Sequence, residues 1–313
     1  MMRILLVGAD GQVGTELRRL KLPFIDLVPL DRHDLDLTSE QSIRQCIRAV
    51  RPAIIINAAE FDAVDSAESH WEECFAINAT APAILAEESL LHDSLLIQYS
   101  TDYVFDGKKT EAYVEEDSTT PLNIYGASKI AAEQAIRSSR ARVLVLRTSW
   151  VYSLHGDNFL LKLLRLAQEK PELRIVNDQV GAPTSAREIA RSTALLIHEF
   201  ARLGKTGFPA GTYHMTASGW TSWYGFASAI LKILPGKKDP AKLAPILSEE
   251  YAATAERPKN SVLSNQKFLR AFGFQLSDWR DQLVEVLADL SAWQPGELSL
   301  AQENIKPGKH ILQ

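Results

Sequence analysis

The sequence predicts an α/β fold, a doubly wound parallel sheet joined to a smaller C-terminal α/β lobe, and three observations predict it. Short apolar runs that read as strands buried on both faces alternate with helical stretches, the pattern of right-handed βαβ crossovers. The first run, Arg3 to Val7 (RILLV), stops directly on a glycine-rich turn. Beyond Trp150 the alternation loosens: Trp220, Trp223 and Tyr224 crowd together, and Pro235, Pro240, Pro245 and Pro258 are spaced along loops.

The elements follow in order. A helix is expected from about Gln12 to Leu20, a strand over Ile25–Leu30, a helix over Ser39–Val50 and a strand over Ala53–Ile56. One long helix is expected from Ala67 to Leu91, then a strand at Leu95–Tyr99, a helix at Tyr125–Arg137 and a strand at Val143–Arg147. Ser185–Phe200 reads as a helix that returns to the main sheet. Residues 1–150 plus about 185–205 are therefore expected to form the sheet domain, and residues 151–184 and 206–313 the lobe. The polar tail from Gln294 is expected to be poorly ordered.

A chain of 313 residues, 46% hydrophobic and 23% charged, buries a sizeable core in the manner of a globular protein. The net charge of -5 and the lack of any Lys/Arg block exclude a general nucleic-acid binder. Cys46 and Cys74 fall in helical stretches and read as small buried apolar side chains, with no metal or redox role. The opening apolar run is too short for a signal peptide, and no stretch approaches a membrane span. No membrane partner is expected, and a cytoplasmic location is.

Gly8-Ala9-Asp10-Gly11-Gln12-Val13-Gly14 lies between a buried strand and a helix. In that setting Gly8 permits the tight turn and Gly11 lets the backbone approach a pyrophosphate. Gly14 allows close helix–strand packing, while the helix N-terminus offers unpaired N–H groups. This is the dinucleotide-binding turn of a Rossmann domain. Asp31, at the end of the second strand, can accept hydrogen bonds from ribose hydroxyls. Arg32 beside it could instead pair with a 2′-phosphate, which leaves NADH and NADPH both open. Asp36 and Leu37 come next, as a flank for adenine or as a helix cap.

Tyr125 and Lys129 are spaced to share one helix face. An ammonium there, with an oxidised nicotinamide, would lower the phenol's pKa toward neutrality. A hydroxyl from the preceding strand end, Thr101 or Ser100, could hold a substrate oxygen beside the phenol. Together they make a hydride-transfer site, with the cofactor giving hydride and the tyrosine a proton.

Seven segments then carry a resemblance over nearly the whole chain: GADGQVG (8–14), INAAEFDAVDSAE (56–68), YSTDYVFDG (99–107), PLNIYGASK (121–129), LRTSWVY (146–152), NDQVGAPT (177–184) and RPKNSVL (257–263). The chain resembles the extended short-chain dehydrogenases and, within them, the dTDP-4-dehydrorhamnose reductase family. The resemblance implies Thr101, Tyr125 and Lys129 as catalytic residues. It places Asp102 and Trp150, with Thr101, against a dTDP-sugar substrate. It implies that Gly8, Gly11, Gln12, Val13, Gly14, Asp31, Asp36, Leu37, Ala58, Ala59, Glu60 and Phe61 line the cofactor with Tyr125 and Lys129. The implied reaction is reduction of the 4-keto group of dTDP-4-dehydro-L-rhamnose by NADPH or NADH.

One segment departs from the family. After Asn57-Ala58-Ala59 the family tends to carry a small or aromatic residue and then threonine, where this chain has Glu60-Phe61-Asp62. Two extra carboxylates would repel a pyrophosphate and a sugar nucleotide unless they point away or are neutralised. Some members dimerise through a magnesium site of glutamates. Glu16 matches one such position and Arg187 stands at the other, so no metal is expected, and a homodimer is left open. Two other readings compete: a nucleotide-sugar epimerase, which shares the same machinery, and a non-catalytic regulatory subunit, which has no chemical need for Thr101, Tyr125 and Lys129 together.

Overall fold

Six parallel strands form the central sheet of the computed structural model, which describes residues 1–233, 241–291 and 311–312. Pro235, Pro240 and the tail from Gln294, apart from Ile311 and Leu312, lie outside the described residues. The first half alternates as expected: β1 (Met2–Val7), α1 (Gln12–Arg19), β2 (Ile25–Leu30), α2 (Glu40–Val50) and β3 (Ile54–Asn57). Next come α3 (Val64–Ala67), α4 (Trp71–Phe75), a π-helical turn at Ala76–Thr80 and α5 (Ala81–Leu91). β4 (Leu95–Thr101), α6 (Ile124–Ser138) and β5 (Val143–Thr148) complete this half.

After β5 come β6 (Val151–Tyr152), α7 (Phe159–Glu169), β7 (Glu172–Val176), β8 (Val180–Gly181) and β9 (Thr184–Ser185). The chain goes on through α8 (Ala186–Gly207), β10 (Gly211–His214), β11 (Thr221–Ser222), α9 (Trp223–Ile233) and β12 (Lys242–Ile246). α10 (Gln266–Phe272), α11 (Trp279–Ser291) and β13 (Ile311–Leu312) end the described residues.

The central sheet runs β10-β5-β4-β3-β1-β2, so the order reverses between β1 and β3. Ligands of such sheets lie beyond the carboxyl ends of the strands near that reversal. Ile4, Leu6, Ile54, Ile56, Leu95, Ile97, Leu144 and Leu146 pack one face of the sheet; Leu5, Val7, Ile55, Leu96, Val143 and Val145 pack the other. Burial on both faces is why these runs are continuously apolar. A separate cluster from Tyr152 to Leu287 gathers α7, α9, α11 and the small β12-β7-β13 sheet. β10 and Phe268 of α10 belong with the main sheet although they follow residue 206, so the chain crosses between the two cores repeatedly.

The single helix expected over Ala67–Leu91 is corrected. The chain leaves helical geometry at His70 (φ −119°), restarts at Trp71 and widens to a π turn at Ala76–Thr80 before α5. The wide turn carries Asn78, whose amide accepts from the Phe61 N–H (2.8 Å) and donates to the Phe61 carbonyl (3.0 Å). π turns occur where a helix must re-aim a residue, here toward the loop after β3. Cys74 is buried on α4 and Cys46 partly buried on α2, and both are free thiols. On the opposite surface Arg187 stands 3.8 Å from Glu16 and pairs with Asp289.

One buried ion pair locks α6 over the sheet. Glu133 receives two hydrogen bonds from Arg147 of β5 (2.9 and 2.6 Å) and one from Ser100 of β4 (2.6 Å), and both charged side chains are almost fully enclosed. Removing one partner of such a pair leaves an uncompensated buried charge. Glu133→Ala is expected to cost about 3–5 kcal/mol in chemical unfolding. A loss below about 1 kcal/mol, the range of a surface pair, would show that Arg147 finds another partner.

Candidate active site

The glycine turn closes the carboxyl end of β1. Gly8 has φ +79°, and a Cβ there would stand 2.5 Å from the Ala59 nitrogen. A Cβ on Gly14 would stand 2.0 Å from the Gly8 carbonyl, so glycine is what lets α1 start against the turn. Gly11, the N-cap of α1, provides no side-chain cap, which leaves the first-turn N–H groups without a local side-chain acceptor. This cradle fits an anionic pyrophosphate.

Val13 packs against the core on one face of the sheet, whereas the side-chain amide oxygen of Gln12 accepts from Ser153 (3.1 Å) and Asn158 (3.1 Å) and ties the turn to the segment after β6. Ala58 donates its N–H to Val7, and Ala59 to the Asn57 side chain. At the end of β2, Asp31 accepts from the N–H groups of His33 (2.7 Å) and Asp34 (3.3 Å), the former chiefly holding its carboxyl below the usual range. Asp36 is not the helix cap; it accepts from Thr38, and Ser39 caps α2 by accepting from Ser42. Leu37 rests against the core on that side of the sheet.

Tyr125 and Lys129 sit in the first turns of α6, which Asn123 starts by accepting the Gly126 N–H (2.8 Å). A Cβ on Gly126 would stand 2.2 Å from the Tyr103 carbonyl. The glycine thus lets α6 close on the segment after β4, where the Tyr103 and Tyr125 rings meet edge to face at 5.9 Å. Thr101 ends β4, accepting the Tyr103 N–H and donating to Asp102, with the phenol of Tyr125 in reach of its hydroxyl. Ser100, the other hydroxyl considered, is committed to Glu133.

Glu60 enters this group. Its Oε2 accepts both the Tyr125 hydroxyl (3.0 Å) and the Lys129 ammonium (2.8 Å). Phe61 packs beside Tyr125, Ala67 and Cys74. Lys129 therefore does not act on the phenol alone, since Glu60 shares its ammonium. Burial first, then the Glu60 charge, raise the Tyr125 pKa well above its ordinary value, against a smaller opposing hydrogen bond from Thr101. Burial also works against the ionised form of Glu60, but the Lys129 charge and the hydrogen bonds from Lys129 and Tyr125 outweigh it and hold its pKa low. Asp62 lies open to solvent on the same loop, where desolvation by nearby atoms and then the Glu60 charge act to raise its pKa.

Asp102 is buried and accepts from Ser149 (2.8 Å) and Thr101 (3.1 Å). Trp150 adopts φ +46° and stacks on Trp223 at 3.5 Å, almost parallel. A Cβ on Gly181 would meet its indole at 2.5 Å, so the ring is wedged between β8 and α9. The sequence motifs assigned no role to Ser149, Asn78 or Trp223. Arg257 and Ser261 lie in the RPKNSVL segment, which carried no assigned role: Arg257 grips both oxygens of Asp65 (3.0 and 2.9 Å), and Ser261 hydrogen-bonds Asp102.

A family model described as "RmlD substrate binding domain" matches residues 2–292. A Burkholderia thailandensis protein named dTDP-4-dehydrorhamnose reductase is 43% identical over 295 residues, covering 92% of this chain and 99% of that protein. The crystal structure of such a reductase from Clostridium acetobutylicum superposes with a TM-score of 0.86 at 34% identity, covering 93% of this chain and 100% of that one. The Bacillus anthracis reductase, solved in complex with NADP, gives 0.85 at 35% identity, covering 92% and 100%.

The burial of Asp102 generates a prediction. Desolvation outweighs its hydrogen bonds from Ser261, Ser149 and Thr101 and raises its pKa from 3.8 to about 6. Between those values the folded chain binds the proton more tightly than the unfolded chain, so this residue's contribution to stability falls as pH rises through the window. Asp102→Asn is expected to flatten the decline in unfolding free energy between pH 4 and 6, by up to about 3 kcal/mol. Identical slopes in the two proteins would rule this out.

Proposed function

This chain belongs to the dTDP-4-dehydrorhamnose reductase family, and we propose that it reduces the 4-keto group of dTDP-4-dehydro-L-rhamnose to give dTDP-L-rhamnose. The observation that carries the reading is the convergence of Thr101, Tyr125 and Lys129 beyond the carboxyl end of β4, on the same sheet edge as the Gly8–Gly14 cradle. The cradle, Asp31, Asp36, Leu37 and the Ala58–Phe61 segment would hold NADPH or NADH, which supplies hydride to the carbonyl carbon. Thr101 would hold the ketone oxygen, and the Tyr125 phenol would give that oxygen its proton. Lys129, one turn along α6, would bind the cofactor's ribose and stabilise the tyrosinate left behind. Asp102 would orient the sugar through Thr101, and Trp150 would wall the sugar pocket from its seat on Trp223.

We read residues 1–150 plus about 185–205, together with β10 and α10 that pack with the main sheet, as the cofactor domain, and 151–184 with the rest of 206–313 as the substrate lobe. The enzyme is read as cytoplasmic, with a homodimer left open; among the described residues no helix is long and apolar enough to cross a membrane. Relatives at 43% and 40% identity that carry the reductase name favour this reaction over an epimerase, and the intact catalytic trio disfavours a purely regulatory subunit.

Tyr125→Phe removes the phenolic proton and retains the ring. NAD(P)H absorbance at 340 nm should fall when a dTDP-4-keto sugar is added to the wild type, and on the order of 10²–10⁴-fold more slowly with the variant. Cofactor binding should stay nearly intact. Turnover above about a tenth of wild type would remove Tyr125 as the acid. A wild type whose absorbance at 340 nm does not fall any faster when a dTDP-4-keto sugar is added would overturn the reductase reading itself.

A further inference from the structure

Among the described residues the Glu60 carboxylate is held by the catalytic pair alone: one oxygen accepts the Tyr125 hydroxyl and the Lys129 ammonium. Lys129 is 3% exposed and Glu60 37%, so the carboxylate reaches the pair from the open cleft. We propose that Glu60 is a positioning residue that keeps the Tyr125 phenol in its proton-bearing form by engaging its hydroxyl and pairing with Lys129. The proposal rests on the reductase reading above, because a phenol that must deliver a proton is useful only while it still carries one.

The charges around the phenol show why one residue can decide its state. On its own helix the phenol has Lys129, whose ammonium alone would favour tyrosinate. Glu60 neutralises that ammonium at 2.8 Å and sets a negative charge beside the hydroxyl. From the same loop Asp62 adds a second, weaker repulsion. Thr101 and Asp102 approach from the end of β4, and Cys74 lies behind Lys129 on α4. Farther out, Asp157 and Lys162 bear on Asp62, and Asp65 with Arg257 bears on Tyr103, whose ring edge meets Tyr125. Of these groups only Glu60 both contacts the hydroxyl and cancels the nearest cation, so it is the one that can hold the acid in its loaded form.

The test reads the phenol directly in the ligand-free protein. Carbon-13 label at the tyrosine ring Cζ gives one resonance per tyrosine, and Tyr125→Phe identifies the Tyr125 signal. In Glu60→Gln, which keeps shape and hydrogen-bonding capacity but not charge, the Tyr125 signal is expected to titrate at least about one pH unit below wild type. Glu60→Asp should move it back toward wild type. The alkaline limb of turnover with the keto sugar should shift in the same direction. A Tyr125 signal in Glu60→Gln that stays protonated as far into alkali as wild type overturns the proposal. The two readings fail separately: a shifted resonance in a protein with no reductase activity sinks the function and leaves the role of Glu60, whereas full activity with an unshifted resonance does the reverse.

Discussion

The Glu133–Arg147 pair is the constraint on which the site depends. Glu133 lies on α6 one turn beyond Lys129 and two beyond Tyr125, so its grip on β5 fixes which way the catalytic face of the helix points. Ser100 joins the same carboxylate from β4, and Arg147 also donates toward His214 of β10. His214 stays neutral there, since burial and then the Arg147 charge push its pKa down to about 3. Three strands and one helix are thereby referred to a single buried cluster. Buried pairs add little net stability over apolar packing but allow few alternative arrangements, which is what a site of this precision requires.

On that frame, backbone proximity does the positioning and electrostatics sets the resting state. Gly126 brings α6 onto Tyr103 closely enough for Tyr125 to face Thr101, and Gly8 with Gly14 folds the phosphate turn against Ala59 and α1. Asn78 then pins the loop after β3 through both backbone groups of Phe61, which presents Glu60 to the pair on α6. The carboxylate that looked repulsive in the sequence is thus neutralised by the lysine of the catalytic motif.

Much of this was legible in the sequence, and the rest was hidden for identifiable reasons. β2 spans the expected Ile25–Leu30, and every expected strand of the main sheet forms, because strands buried on both faces leave continuous apolar runs. The glycine turn and the Tyr125–Lys129 spacing were legible because both are local. The break at His70 and the π turn were not, since the apolar pattern of Trp71–Leu91 continues through them. The stack of Trp150 on Trp223 and the reach of Glu60 to Lys129 join residues about seventy apart, which no spacing rule relates. The Glu60 carboxylate was visible in the sequence, but its partner was not: nothing local shows that it folds onto the lysine four residues beyond Tyr125.

The strand order also bears on how the molecule can be made. β10 is an edge of the main sheet, yet it follows α7, β7 and α8 in the chain, and it carries the histidine that receives Arg147. During synthesis the dinucleotide turn and β1 to β5 emerge first, but Arg147 keeps one side of its guanidinium unmatched until residue 214 of 313 has been added. The nascent sheet would meanwhile expose β5 as an open edge, the kind of surface that pairs wrongly with other chains. Closure of the sheet beyond β5 is therefore tied to translation of the intervening lobe.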